Sequence, residues 1–245
     1  MSKFWSKVWA ITEKDILMYY SKGPVVIFGV LFPVFLFLAF YVGRELPASF
    51  LIPGLLSMTL FFTATSVPPV IAPWEGQTKT LERLLSCPIS VEMMILGDVL
   101  ASFIFCVCLS AVPVVVGVFA GVGVKKPVIL TVATLLGALC FSCFGLLFSA
   151  YPTNLPSNVM MLSTLVKFPI VFISGIFIPV ENLPHWGVVV ASLSPLTYFT
   201  DLARLSIQGY AFYPVYLDFL VLFACTALFL LIATKLHKRA LPKRL

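Results

Sequence analysis

The sequence is divided into apolar blocks of about twenty residues, and this pattern constrains the fold more than any other feature. At about 1.5 Å of rise per residue, a helical block of that length crosses a hydrocarbon core of roughly 30 Å. Because lipid supplies no hydrogen-bond partners, each block must pair its own backbone groups and is predicted to be a helix. The six predicted spans cover residues 25–42, 50–72, 93–119, 128–150, 159–178 and 215–234.

The composition indicates an all-α integral membrane protein. Apolar residues make up 60% of the 245 residues and charged residues 11%, and the mean hydropathy is +1.07. A soluble domain of this size needs more polar residues to cover its surface. We therefore predict a single transmembrane domain over residues 1–245. Pro53-Gly54 and Pro68-Pro69 lie inside the second predicted span and predict kinks in it.

The basic residues set the expected orientation. With both termini in the cytoplasm, eleven of the sixteen lysines and arginines lie inside and four lie outside, while Lys167 falls within a span. An excess of basic residues on the cytoplasmic side is typical of membrane proteins. We expect a multi-pass protein of the cell (cytoplasmic) membrane in which both termini are cytoplasmic.

Residues 2–22 predict an amphipathic helix that lies in the membrane interface. On a helical projection Lys3, Lys7 and Lys14 share one side, and Asp15 is the one charged residue on the other side. That other side carries the apolar residues Phe4, Trp5, Val8, Trp9, Ile11, Ile16 and Tyr19. A cationic stripe opposite a Trp-rich face is typical of interfacial helices. The alternative is a simple membrane-edge anchor for the first span.

The cytoplasmic connection of residues 73–92 is predicted to contain a second, shorter amphipathic helix. Leu81, Leu84 and Leu85 stand at i, i+3 and i+4 and so share one face. Such a face can dock into a groove on a soluble partner. Alternatively, the helix rests on the lipid surface.

The ends and the polar side of this loop helix also follow from the sequence. Thr78 or Thr80 can cap its start, and Pro88 ends it. Lys79, Glu82 and Arg83 lie away from the leucine face.

The outer connection of residues 179–214 is too apolar for a solvated loop and too interrupted for two further spans. Asn182 can cap a short helix that has Pro184 in its first turn, and Ser194 can start a second helix that ends at Gly209. Irregular backbone at membrane depth is tolerated where protein buries it. We therefore predict two re-entrant half-helices that dip into the outer leaflet.

Two sets of charged residues need partners at these depths. Asp201 and Arg204 stand at i and i+3 on the second half-helix and can pair. An uncompensated lysine near the bilayer centre costs on the order of 2.5–3.5 kcal/mol, which applies to Lys167. Three interpretations of Lys167 stay open. Its side chain extends to the cytoplasmic surface, it pairs with Asp98, or it meets an anionic group on a transported substrate.

The sequence lacks the residue patterns that catalysis or nucleotide binding needs. It contains no Gly-x-x-x-x-Gly-Lys-Ser/Thr loop for phosphates and no run of acidic residues with metal-ligand spacing. His185 and His237 are expected on opposite sides of the membrane and cannot share a metal. Cys140 and Cys143 have redox or zinc spacing, but their apolar surroundings indicate packing residues. We predict neither catalytic activity nor nucleic-acid binding.

Several motifs resemble those of type-2 ABC-transporter permeases. Residues 80–90, Thr-Leu-Glu-Arg-Leu-Leu-Ser-Cys-Pro-Ile-Ser, resemble the Leu-Glu-x-Leu-Leu-x-x-Pro element of that family. Residues 174–186 and 194–204 are similar to its Gly-x-x-Phe-x-x-x-x-x-Leu-Pro segment and the Pro-Leu-Thr-Tyr stretch after it. Pro53-Gly54-Leu55 is a third match, and the motifs follow the family order over most of the chain. Lys79 departs from the glycine that the family often has there, and the importer-type Glu-Ala-Ala motif is absent.

The resemblance implies the membrane subunit of a drug, polysaccharide or lipid exporter. It implies a second permease copy or homologue and a separate ABC ATPase subunit that binds ATP and Mg²⁺, so this chain is expected to bind no cofactor and no metal. The implied ATPase-coupling residues are Thr80, Leu81, Glu82, Arg83, Leu84 and Leu85. The implied outer gate consists of Pro184, Trp186, Pro195, Tyr198, Asp201 and Arg204. Lys167 and Asp98 are candidates for the translocation path or for an intramembrane pair.

The alternative function is a self-contained channel or an ion-coupled secondary transporter. Such a protein is expected to carry several acidic residues within its spans. Here only Asp98 and Asp218 are candidates.

Overall fold

A computed structural model describes residues 2–20, 27–41 and 47–240, and within these ranges all regular structure is helical. The α-helices are α1 (Ser2–Asp15), α2 (Phe32–Tyr41), α3 (Ala48–Ser66), α4 (Pro68–Gln77), α5 (Thr80–Leu85), α6 (Val91–Phe119), α7 (Pro127–Ser149), α8 (Pro156–Ile173), α9 (His185–Ala191), α10 (Pro195–Ile207) and α11 (Val215–Ala240). A π-helical turn, Ile16–Tyr20, extends α1, another, Ile27–Leu31, precedes α2, and a 3₁₀ turn, Val180–Asn182, precedes α9.

Five helical segments in the described part of the chain are long and apolar enough to cross a membrane. They are α3 with α4, α6, α7, α8 and α11. The predicted all-α membrane fold is confirmed, and five of the six predicted spans correspond to these helices of spanning length. The predicted first span, residues 25–42, lies partly outside the described residues, as does the end of the predicted interfacial helix 2–22. Helix α8 ends at Ile173, before the predicted end at residue 178, and Gly175 follows with a φ of +75°.

Helix α3 forms the centre of the helix bundle. Its residues are apolar or small on all sides, which is typical of a helix that is surrounded by protein. It packs against α6, α7 and α10. Phe61 of α3 meets Phe141 of α7 edge-on with ring centres 5.2 Å apart, and Phe141 meets Phe199 of α10 in the same way at 6.0 Å. These aromatic contacts connect three helices through one buried cluster.

The second predicted span is interrupted where the sequence predicted a kink. Helix α3 ends at Ser66, Val67 forms a bend, and α4 begins with Pro68 and Pro69. Proline suits the first turn of a helix because its missing N–H has no intrahelical partner there. At Pro53 the other predicted kink does not break the helix, since α3 continues through it.

The outer segment forms two helices, as predicted, but with a different first cap. Asn182 belongs to the 3₁₀ turn, and Pro184 precedes α9 without a side-chain cap, so the predicted Asn182 cap is wrong. The Ser194 prediction is confirmed, because its Oγ accepts from the N–H of Leu196 at 3.3 Å. Gly209 follows the end of α10 with a φ of +89°. Helix α10 is buried among α3, α7 and α11, whereas its depth in the membrane stays a prediction.

The close approach of α7 to the break between α3 and α4 gives a first testable prediction. A Cβ atom on Gly145 would lie 3.0 Å from the carbonyl oxygen of Ala64 and 3.1 Å from the Cα of Thr65. Backbone atoms cannot move aside easily, so we expect Gly145→Val to lower the free energy of unfolding by about 1–3 kcal/mol. Thermal unfolding of the purified protein in detergent measures this loss.

Gly123→Val is the control, because among the described residues nothing lies within 4 Å of a Cβ atom at Gly123. Equal unfolding temperatures for the two variants would contradict the close approach.

Candidate functional site

The loop helix α5 follows α4 after a turn of Thr78 and Lys79. Lys79 has a φ of +56° and precedes α5 without a side-chain cap. The hydroxyl of Thr78 donates to the carbonyl oxygen of Trp74 at 2.8 Å, and the hydroxyl of Thr80 donates to the backbone carbonyl oxygen of Glu75 at 3.3 Å. The predicted capping of α5 by Thr78 or Thr80 is therefore wrong. Both hydroxyls instead pair with carbonyl oxygens at the end of α4, which the short turn brings within reach.

The apolar face of α5 is covered by the same chain. Leu81 is 1% exposed and packs with Ile11 of α1 and Met94 of α6, and Leu84 is partly buried beside them. Leu81 is thus unavailable for a partner groove or for lipid, which corrects both sequence interpretations for this residue; for Leu84 and Leu85 they stay predictions. The reason is that α1 supplies a complementary apolar surface. The side chain of Leu85 lies outside the described part.

The polar face of α5 stays open. Glu82 and Arg83 are exposed, and the helix ends at Leu85, three residues before Pro88. Lys7 of α1 donates to the carbonyl oxygen of Pro88, which ties α1 to the chain just after α5. The contact between α1 and α5 therefore has an apolar part and a polar part.

Helix α1 packs closely against α6. The Cβ of an alanine at Gly97 would lie 2.5 Å from the side chain of Ile11, and the hydroxyl of Thr12 donates to the carbonyl oxygen of Gly97 at 3.2 Å. Trp5 and Trp9 are exposed on the other side of α1. The predicted apolar face is therefore divided between a protein contact and an outer aromatic surface.

Lys14 does not belong to an exposed cationic stripe, contrary to the prediction. Its side chain is 27% exposed, and its Nζ lies 3.0 Å from Asp15 and also pairs with the buried Glu75 of α4. Burial alone lowers the pKa of Lys14, but the charges of Asp15, Glu75 and Asp98 outweigh it and raise the pKa. The ammonium is therefore charged at neutral pH and joins α1 to α4. We call Lys14, Asp15, Glu75 and Asp98 the charged cluster.

Sequence reasoning missed Glu75 and misjudged Asp15, which is fully buried. The available signal was Asp15 itself. A carboxylate on the apolar side of an amphipathic helix requires a buried cation or donor. Its position relative to Glu75, 60 residues later in the numbering, depends on how α1 and α4 pack.

Lys167 does not pair with Asp98, which corrects one of its three interpretations. Its Nζ donates to the carbonyl oxygen of Thr65 at 2.8 Å, and the residue is only 6% exposed. Helix α8 packs mainly against α4, whereas Asp98 on α6 belongs to the charged cluster at α1. Burial of the side chain also removes the interpretation that it extends to the surface. A contact with substrate remains a prediction.

The six outer-gate candidates separate into two groups. Pro184 and Trp186 are exposed at the start of α9, and Pro195 is half-buried. Tyr198, Asp201 and Arg204 are buried in α10. The structure does not bring all six candidates together at one surface.

Asp201 and Arg204 do not form the predicted ion pair, although the described residues include both. The carboxylate of Asp201 accepts from the N–H groups of Phe212 and Tyr213 at 2.9 and 2.8 Å. Arg204 donates to the carbonyl oxygen of Gly175 at 2.6 Å, and its guanidinium lies 5.0 Å from the ring centre of Phe50. Each side chain therefore bonds to nearby backbone instead of to the other, while the buried Nε of Arg204 has no hydrogen-bond partner among the described residues.

A family model described as ABC-2 type transporter matches residues 6–208, from α1 to the end of α10. The chain belongs to this family. Two curated relatives, from Escherichia coli strain K12 and Escherichia coli O157:H7, are both named "Probable multidrug ABC transporter permease YbhR". Each is 23% identical over 157 residues, which cover 63% of this chain and 42% of the relative. The chain therefore matches about two fifths of the length of these relatives.

As an ABC-2 family member with apolar helices of spanning length, the protein is a multi-pass membrane protein. The matched residues include α5 and the whole charged cluster, whereas α11 lies beyond them. Among the described residues, no group of three or more His, Cys, Asp or Glu side chains could hold a metal ion.

The charged cluster of this ABC-2 family member gives a second prediction. Lys14→Met leaves Asp15 and Glu75 buried without their cation, and breaking a fully buried pair costs about 3–5 kcal/mol. Because Lys14 keeps some exposure, we expect a loss of about 2 kcal/mol in the free energy of unfolding. Thermal unfolding measures it, with the exposed Lys3→Met on the same helix as the control. Equal effects of the two substitutions would show that Lys14 does not neutralise the cluster.

Proposed function

We propose that this chain is the permease subunit of an ATP-driven ABC exporter. Two such subunits form the translocation path, and a separate ABC ATPase binds at α5. Membership of the ABC-2 type transporter family supports the transport role, and the similarity to two relatives named as multidrug permeases supports a permease. The dimer, the ATPase and the export direction are family-level inferences that we adopt as part of the proposal.

The observation that carries this proposal is the way α5 is held. Leu81 packs against Ile11 of α1 and Met94 of α6, and a short turn connects α5 to α4. A force applied to α5 therefore reaches α1, α4 and α6 without first bending a flexible loop. A partner that changes shape on binding ATP can use this connection to move the spanning helices.

The surface that meets the ATPase is the polar face of α5, not its leucine face. Leu81 is buried within the chain, whereas Glu82 and Arg83 are exposed at the tip of the loop. Exposed charges set the orientation and specificity of a docked partner. ATP and Mg²⁺ bind to the ATPase in this proposal, and the present chain contributes the mechanical contact.

Charge reversal on α5 gives a third prediction. Glu82→Lys together with Arg83→Glu reverses both charges and keeps the net charge of the protein. We expect the amount of ATPase that co-purifies with the permease to fall about tenfold, which corresponds to roughly 1.4 kcal/mol. The measurement uses the permease co-expressed with a candidate ABC ATPase, such as one from a neighbouring reading frame, and transport-linked ATP hydrolysis is measured in parallel.

Lys126→Glu is the control, because Lys126 is exposed in the loop between α6 and α7, at the other end of α6 from α5. Undiminished binding and hydrolysis in the double-reversal variant would contradict docking through the polar face of α5.

One observation favours the alternative function, a self-contained ion-coupled transporter. Both carboxylate oxygens of Asp218 in α11 are buried and have no hydrogen-bond partner among the described residues. Buried carboxylates of this kind carry protons or cations in ion-coupled transporters. Under our proposal, Asp218→Asn leaves ATP-driven transport intact. Transport that is lost in this variant while ATPase binding persists would favour the alternative.

A further inference from the structure

The break between α3 and α4 leaves two neighbouring carbonyl groups without their helical donors. In a continuous α-helix each carbonyl oxygen accepts from the N–H four residues later. For Ala64 and Thr65 these positions are Pro68 and Pro69, which have no N–H. An unpaired carbonyl costs several kcal/mol in hydrocarbon, so other donors are required here.

Side chains from two other helices supply those donors. Ser102 Oγ of α6 donates to the carbonyl oxygen of Ala64 at 3.0 Å, and Lys167 Nζ of α8 donates to that of Thr65 at 2.8 Å. Ser142 Oγ of α7 in turn donates to Ser102 Oγ at 2.8 Å. All of these groups are buried. The break is therefore capped from outside by a network that involves three helices.

Pro53, a single proline inside α3, can be compared with the two consecutive prolines at the break. Pro53 removes the helical donor for the carbonyl of Ser49, and Gln208 Nε2 donates to that oxygen at 3.1 Å. Helix α3 nevertheless continues through Pro53. Two consecutive prolines remove two consecutive backbone bonds, and there the helix bends at Val67. Bending at Val67 therefore requires no further backbone hydrogen bond to be broken.

The two capping groups differ in reach. A serine hydroxyl is fixed close to its own backbone, whereas a lysine amine is carried by a flexible four-carbon chain. Lys167 can therefore keep its bond to Thr65 over a range of angles between α3 and α4, while Ser102 holds Ala64 in one place. Helix α4 beyond the break carries Glu75 of the charged cluster and leads directly into α5.

We propose that Val67 is the hinge on which α4 and α5 turn relative to α3, and that Lys167 is the positioning residue that sets the resting angle of this hinge. The hinge role rests on the proposed function, because the ATPase supplies the force at α5. The capping role does not, because it follows from the hydrogen bonds alone. The two roles are therefore tested by separate measurements.

The capping role is tested by matched pairs of substitutions in the full chain. Lys167→Met or Ser102→Ala alone leaves a buried carbonyl unpaired, and we expect each to lower the unfolding temperature in detergent by about 4 °C. Pro69→Ala restores a backbone donor for Thr65, so it should abolish the effect of Lys167→Met. Pro68→Ala should do the same for Ser102→Ala. The crossed pairs, Pro68→Ala with Lys167→Met and Pro69→Ala with Ser102→Ala, should show no rescue.

The hinge role is tested with the pair that recovers stability. The double variant Pro69→Ala with Lys167→Met is studied in complex with its ATPase. It regains the backbone hydrogen bond from residue 69 to the carbonyl of Thr65 across the hinge, and it lacks the flexible Lys167 donor. We expect this variant to bind the ATPase normally and to lose at least about tenfold in transport-linked ATP hydrolysis.

Rescue of both stability and activity would overturn the hinge and leave Lys167 as a structural cap. Rescue by the crossed pairs as well as the matched ones, or by neither, would overturn the capping assignment. Loss of ATPase binding in every variant and in the unmodified chain would refute the proposed function instead.

Discussion

The arrangement of this protein depends on the cost of an unpaired backbone carbonyl in a lipid environment. That cost is several kcal/mol per group, and prolines within spanning helices create such groups. The helices around α3 lie where their side chains can donate to its free carbonyls. The same pattern occurs before α2, where Pro33 follows Gly29 by four residues and the carbonyl of Gly29 accepts from Thr63 Oγ1 of α3 at 3.1 Å. Aromatic rings around Phe61 fill the space between the helices that these side-chain-to-carbonyl hydrogen bonds connect.

The charges at the α5 end of the molecule follow a related rule. Asp15 and Glu75 are buried, and the ammonium that pairs with them among the described residues, that of Lys14, comes from α1. Their attraction holds α1 against α4, while the contact between Leu81 and Ile11 holds α1 against α5. Helix α1 thus contacts both α4 and α5, the two helices that we propose turn together relative to α3. A motion of α5 without a motion of α1 would separate buried charges, which is strongly unfavourable.

The sequence predicted those features that depend on local chemistry. Spanning helices followed from the length of the apolar blocks, the break at Pro68-Pro69 from the missing donors, and the start of α10 from Ser194 and Pro195. The motifs at residues 80–90 and 194–204 also indicated the family that the comparisons establish.

The predictions that failed concern partners distant in the sequence. Thr78 was expected to cap α5 but pairs with α4, because the turn between them is short. Leu81 on the leucine face of α5 was expected to meet a partner but packs against Ile11 of α1. Lys14 was expected on an exposed stripe but pairs with Glu75, and Lys167 bonds to Thr65 and not to Asp98, for the same reason. Helical periodicity shows which residues share a face, but it does not show which other helix packs against that face.

The most direct test of the account is an electron cryomicroscopy comparison of the permease–ATPase complex without nucleotide and with ATP bound. We predict that the angle between α3 and α4 at Val67 differs between the two states. We also predict that Leu81 stays against Ile11 and that the ATPase covers Glu82 and Arg83. An unchanged angle at Val67, or Leu81 inserted into a groove of the ATPase, would contradict the account.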